Sequence, residues 1–252
     1  MAVTTARQGQ VLVITLRGDN DLNIGVVDED LFRVLDEFGR DPELRCCVIT
    51  GAGERAFSAG ADLRLLGAGD GLGSGGFNRP NLMNGGELWK PVVAAINGHC
   101  IGAGFMFAIA CDIRIAAEHA TFSVPEVRYG FPPGLGVTQR LPRHIGAGPA
   151  LEFLLTGDRF TAQQALQWGL VNRVVPAAAL MVNALALAGR IAANPPIAVR
   201  GTKELVYRSM EMPMASGLRL AEALFEAGLK TEDAREAMSA FKEKRTPLFK
   251  GR

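Results

Sequence analysis

The chain has 252 residues, with 27 Lys and Arg against 26 Asp and Glu, a net charge of +1 at neutral pH. That balance gives no electrostatic footprint for nucleic acid or anionic lipid, and the length allows one large domain or two small ones whose core needs no metal or disulfide staple. MAVTTARQGQ at the N-terminus lacks the apolar stretch of a secretory signal, and the four cysteines show no C-x-x-C or Cys/His ligand spacing, so buried free thiols in a reducing, cytoplasmic setting are expected.

In chain order, QVLVITL (10–16) predicts a strand. VVDEDLFRVLDEFGRD (26–41) places Val27, Leu31, Val34, Leu35 and Phe38 at helical spacing, and Gly39 and Pro42 end the run. RCCVIT (45–50) predicts a second strand, followed by the glycine-rich loop GAGERAFSAGADL. Residues 67–86, rich in glycine and poor in apolar runs, predict a loop or lid rather than a domain linker. Pro91 to Cys111 carry no formal charge and reach the ~20 residues of a membrane span. Pro91, Asn97, Gly98, His99, Gly102 and Gly104 argue against one. A buried strand, PVVAAI, then a turn and a buried helix is the better reading. CDIRIAAE (111–118) continues the α/β pattern. Helices are expected at 147–156, 161–168, 177–192, 196–209, 214–229 and 231–242, with one short strand, LVNRVV (170–175). The order predicts an α/β core with a helical C-terminal appendage.

GAGERA (51–56) and GLGSGG (71–76) imitate a dinucleotide fingerprint. The first does not open directly into a helix and the second follows no strand, so both are set aside. His99, His119 and His144 are scattered and read as structural. Three segments carry more: ERAFSAGADL (54–63), NGHCIGAG (97–104) and FSVPEVRYGFPPGLGVTQRL (122–141), the last with a single acid, Glu126. Two turns ending in small residues at helix starts can aim free backbone N–H groups at one point. Two such donors form an oxyanion hole, and a nearby carboxylate moves protons. On residue types alone, ordinary glycine turns and a solvated glutamate explain the segments at least as well.

Taken together, FSAGADL, INGHCIGAG, ACDIRIAAEHATFSVPE, GFPPGLGVTQRL, LTGDRFTAQQALQWGLVNRVV and EAMSAFKEKRTPLFKGR resemble the enoyl-CoA hydratase/isomerase (crotonase) superfamily over nearly the whole chain. The family's usual proline- and asparagine-bearing stretch reads RGDNDLNIGVV here, a departure. The resemblance implies an α/β fold, a crotonase-like ββα spiral core over 1–195, with a helical region over 196–252 that forms trimers, often stacked as hexamers. It implies an oxyanion hole from the N–H groups of Ala61 and Ala103. The loop from Arg55 through Ala59 and Asp62 to Leu63 would embrace coenzyme A, and Phe241 and Lys244 would reach a coenzyme A held by a neighbouring subunit. Glu126 matches one of two hydratase glutamates, and Met106 occupies the position of the other.

Methionine cannot exchange a proton but can line an acyl pocket. One glutamate suffices to shuttle a proton between two carbons, so the expectation is an enoyl-CoA isomerase. A hydratase or hydratase-lyase using Glu126 alone is the alternative, and a non-catalytic acyl-CoA-binding protein the alternative of another class. The expected partners are an acyl-CoA thioester and copies of the chain, without nucleic acid or membrane. Coenzyme A enters as part of the substrate, with no separate cofactor or metal. Arg128 and Tyr129 receive no role, Asp62 serves to position the loop, and Trp89 reads as a core residue.

Overall fold

A computed structural model describes residues 3–18, 20–26, 28–62, 82 and 87–252. The chain opens with an antiparallel hairpin, β1 (Val3–Gln8) and β2 (Val11–Leu16). Helix α1 (Glu29–Arg40) then crosses over to β3 (Cys46–Gly51), parallel to β2. Asp28 caps α1 by accepting the Leu31 N–H, and the helix buries Leu31, Val34, Leu35 and Phe38, the stripe its spacing predicts. Val27, read with that stripe, lies outside the described residues, as do 67–86 apart from Leu82.

β5 (Val92–Ile96), β7 (Ile113–Ala117) and β10 (Arg173–Val175) complete a six-stranded sheet in the order β1-β2-β3-β5-β7-β10, parallel from β2 onward. Strands buried on both faces explain the unbroken apolar runs RCCVIT and PVVAAI. The chain continues beyond this sheet into a second one of short strands, β4 (Ala56–Ser58), β6 (His99–Ile101), β8 (Thr121–Ser123) and β9 (Phe160–Thr161). β3 leads to β4, β5 to β6 and β7 to β8, so three passages through the large sheet each deliver a short strand to the second sheet.

Helix α2 (Ala103–Ala110) follows β6 and is buried along its whole length. The uncharged run from Pro91 is thus a strand, a turn, a short strand and an eight-residue helix. Among the described residues no single helix is long and apolar enough to cross a membrane. The helices α3 (Val137–Ile145), α4 (Ala147–Thr156), α5 (Ala162–Gln167), α6 (Leu180–Ala192), α7 (Pro196–Ser209), α8 (Met214–Leu229) and α9 (Glu232–Glu243) follow.

The period of two along a strand sends neighbouring residues to opposite cores. Cys47 and Ile49 join the larger apolar cluster with Phe57, Phe105, Met106 and Phe122. Cys46 and Val48 join Val93, Ala95 and Ile115 under α6, which meets them with Leu180, Ala184, Ala188 and Ala192 at helical spacing. All four cysteines are free and buried. Burial pushes the thiols of Cys46 and Cys111 up to about 12.

A half-buried polar clamp docks the helical region on the core. Asp112, just past α2, accepts hydrogen bonds from Val92 N–H (2.7 Å), Lys203 Nζ (2.7 Å) and the Tyr207 hydroxyl (2.9 Å). Lys203 also donates to the Lys90 carbonyl (3.0 Å). The clamp holds both ends of the segment β5–β6–α2 against α7. In contrast, the only buried residue of α8 is Gly217, while Leu218 and Phe225 on the same helix stay exposed.

Candidate active site

Two buried asparagines shape the first turn. Asn97 Nδ2 donates to the carbonyls of Gly51, Gly53 and Ala56 at 2.9–3.1 Å, and its Oδ1 accepts the Gly51 N–H (3.0 Å). Asn23 Nδ2 donates to the carbonyls of Ala52 (3.0 Å) and Ala56 (2.8 Å). Ser58 Oγ donates to the Asn23 carbonyl (2.8 Å), and Ala59 N–H donates to the Leu22 carbonyl (2.8 Å). The loop that leaves β3 is therefore pinned from both sides, which sets the exit of β4 through Gly60 and Ala61. Sequence reading missed Asn23. It lies in the stretch RGDNDLNIGVV, and its left-handed φ of 49° is one that asparagine tolerates.

The second turn meets the first through backbone. Gly60 has a φ of 97°, and a methyl in place of its hydrogen would sit 2.9 Å from the Ile101 carbonyl oxygen and 3.2 Å from Ala103 N. Gly102 has a φ of 54°. A methyl there would sit 3.1 Å from Glu126 Oε1 and 3.9 Å from Gly60 Cα. Both positions have positive φ, which favours glycine, and at Gly60 the neighbouring backbone leaves no room for a side chain. Gly60, Gly102, Ala103 and Glu126 thus converge on one point.

Ala103 opens α2, and the first helical bond runs from Met106 N–H to the Gly102 carbonyl (2.9 Å). An N–H in the first turn has no intrahelical acceptor. Among the described residues neither Ala103 N–H nor Ala61 N–H has a hydrogen-bond partner. Both sequence-predicted donors remain available.

Glu126 sits in a 3₁₀ turn, Pro125–Tyr129, opened by proline and closed by Gly130 in left-handed conformation. The turn is tied to the glycine turn next to it, because Gly102 N–H donates to the Ser123 carbonyl (2.9 Å). Glu126 Oε2 is buried and has no hydrogen-bond partner among the described residues. Burial raises the carboxyl pKa above its ordinary value. Met106, one turn into α2, is only 3 % exposed and belongs to the apolar cluster.

Other predicted residues divide. Arg55 is exposed and pairs with Asp21 (3.3 Å), and Ala59 and Asp62 are half-buried on the same loop. Leu63 lies outside the described residues. Phe241 (86 % exposed) and Lys244 lie at the end of α9, and among the described residues no hydrogen bond or ion pair joins their side chains to that loop. Arg128 is turned away to Asp158 and the Thr156 carbonyl, and Tyr129 is exposed. Trp89 is half-buried beneath the Arg208 guanidinium. The histidines bond elsewhere: His99 Nδ1 with Thr121 Oγ1 (2.8 Å), and His119 Nε2 with the Glu54 carbonyl (3.2 Å). Burial, with Arg114 and Arg140 nearby, pushes His144 down to about 4.

The raised pKa of Glu126 has a thermodynamic sign. A carboxyl whose folded pKa exceeds its unfolded value contributes stability below the unfolded value, near 4.5, and loses it as pH rises through the folded value. Glu126→Gln, which cannot ionise, should therefore melt higher than wild type at pH 8, with the gap closing as pH falls toward 4.5. Thermal melts across that range check this. A variant that melts lower at pH 8 would show that the ionised carboxylate is stabilised by contacts.

The profile of the enoyl-CoA hydratase/isomerase family matches residues 6–252. Carnitinyl-CoA dehydratase of Citrobacter koseri is 39 % identical, covering 98 % of this chain and 97 % of its own length. 2,3-Dehydroadipyl-CoA hydratase of Escherichia coli is also 39 % identical, covering 98 % of each. Among solved structures, an enoyl-CoA hydratase from Bacillus anthracis superposes with a TM-score of 0.92 at 37 % identity over 100 % of both chains. With the fold, the length and the sequence all in agreement, the chain belongs to the enoyl-CoA hydratase/isomerase family.

Proposed function

We propose that this site moves a double bond in an enoyl-CoA thioester by a proton shuttle through Glu126. The observation that carries the reading is the junction of two backbone donors, Ala61 and Ala103 N–H, with a carboxyl whose Oε2 is buried, all three without a hydrogen-bond partner among the described residues, where Met106 stands in place of a second acid. The thioester oxygen accepts hydrogen bonds from Ala61 and Ala103 N–H. Glu126 takes a proton from the carbon next to the thioester carbonyl of a 3-enoyl chain. The electron pair spreads over the dienolate and onto the thioester oxygen, where the two donors hold it; one such donor contributes about 10²–10³ in rate. Protonated Glu126 then returns the proton two carbons further out, which leaves the double bond conjugated. A base that must release its proton again is served by the upward pKa shift.

A second reading is favoured by the relatives named as a dehydratase and a hydratase. There Glu126 alone removes the proton next to the thioester carbonyl and protonates the departing hydroxyl. The two separate on ultraviolet absorbance. Wild type given a 3-enoyl-CoA should gain the absorbance of the conjugated thioester, and Glu126→Gln should slow this by ~10²–10⁴ with little change in affinity. Fast loss of absorbance from a 2-enoyl-CoA, with Met106 in place, would overturn the isomerase reading in favour of hydration.

The same reading assigns coenzyme A to the loop of Arg55, Ala59, Asp62 and Leu63. It assigns assembly to 196–252, so that Phe241 and Lys244 reach a thioester on a neighbouring subunit. The exposed apolar residues Met214, Leu218, Phe225, Met238 and Phe241 support a homotrimer or a hexamer, since a lone chain would leave them in water. Light scattering at micromolar protein should report three or six chains. A monomer would contradict both the assembly and the role of Lys244.

A further inference from the structure

Three non-glycine residues have left-handed backbone among the described residues: Asn23, Leu135 and Lys244. Asn23 is held by its own side-chain bonds, and Lys244 closes the end of α9. Leu135 has neither reason. Its φ is 55°, a region that a Cβ disfavours. Glycine stands on both sides, at Gly134 and Gly136, yet the position between them carries a leucine. Strain kept where glycine would remove it points to a use for the side chain.

Leu135 lies in the connection between the Glu126 turn and α3, and α3 packs against α2, the helix of Ala103 and Met106. Its side chain is half-buried against the apolar cluster that contains Met106, Phe105, Val137 and Leu141. Arg140 holds the turn: Nη1 donates to the Leu135 carbonyl (3.3 Å) and Nη2 to the Leu82 carbonyl (3.3 Å). Leu82 is a second half-buried leucine on the same cluster. One guanidinium thus holds the backbone of two leucines that pack on that cluster.

We infer that Leu135 closes the apolar end of the acyl pocket and sets the length of acyl chain the site accepts. The inference rests on the acyl-CoA reading above. Its test is binding, which needs no turnover. Dissociation constants of butyryl-, octanoyl- and dodecanoyl-CoA are measured by calorimetry for the assembled wild type, Leu135→Ala, Leu135→Gly and Leu135→Phe.

Removing the side chain should raise the preference for dodecanoyl- over butyryl-CoA by about tenfold or more in the Ala and Gly variants, because each methylene newly buried contributes several-fold. Leu135→Phe should lower that preference. Leu135→Gly should melt no lower than Leu135→Ala, since glycine takes the left-handed backbone freely. An unchanged preference in all three variants, with butyryl-CoA still bound, would overturn the inference and leave the acyl-CoA reading standing. Wild type that binds none of the three thioesters would overturn both.

Discussion

Gly102 touches three parts of the site at once. Its N–H is held by the Ser123 carbonyl at 2.9 Å, its carbonyl starts α2, and its Cα faces both Glu126 Oε1 and Gly60. A methyl there would crowd the Glu126 carboxyl at 3.1 Å and would strain the left-handed backbone. The turns that carry Ala61 and Ala103 meet through backbone at this point. Gly104 extends the contact: a methyl in its place would lie 2.4 Å from the Ser58 carbonyl oxygen, so α2 can rest directly on β4. The rest of the fold serves to deliver these segments to one place.

That delivery explains where the polar residues are buried. Asn23 and Asn97 satisfy the carbonyls of the loop between β3 and β4, which the turn would otherwise leave unpaired. The Asp112–Lys203–Tyr207 clamp fixes both ends of the segment that carries Gly102. Among the described residues Glu126 Oε2 is the exception, a buried side-chain oxygen with no hydrogen-bond partner. Burying such an atom costs stability, and the cost falls where the proposed reaction takes up and releases a proton.

Much of the architecture was legible from spacing. The helices at 147–156, 196–209 and 214–229 match the periodic runs residue for residue. Elements without a period escaped. β4, β6, β8 and β9 have two or three residues each, too few to alternate. β1 buries only Val3, so it shows no apolar face. α3 carries Pro142 in its interior, a residue that argues against a helix. The site itself was legible only as a resemblance. What distinguishes Gly60 and Gly102 from ordinary turn glycines is their approach across the second sheet, a distance between far-separated positions that no local pattern encodes. His99 and His119 bond to Thr121 and to the Glu54 carbonyl, and Asn23 was hidden because a single asparagine in a polar stretch has no period.

The central claim is that Glu126 moves a proton at the carbon beside a thioester carbonyl held by Ala61 and Ala103. Its most direct test is proton exchange with a saturated acyl-CoA in deuterated water, followed by proton magnetic resonance. The account predicts loss of the signal from that carbon with wild type, and loss slower by ~10² or more with Glu126→Gln. A protein that binds the thioester and exchanges nothing, or a Glu126→Gln variant that exchanges as fast as wild type, would contradict it.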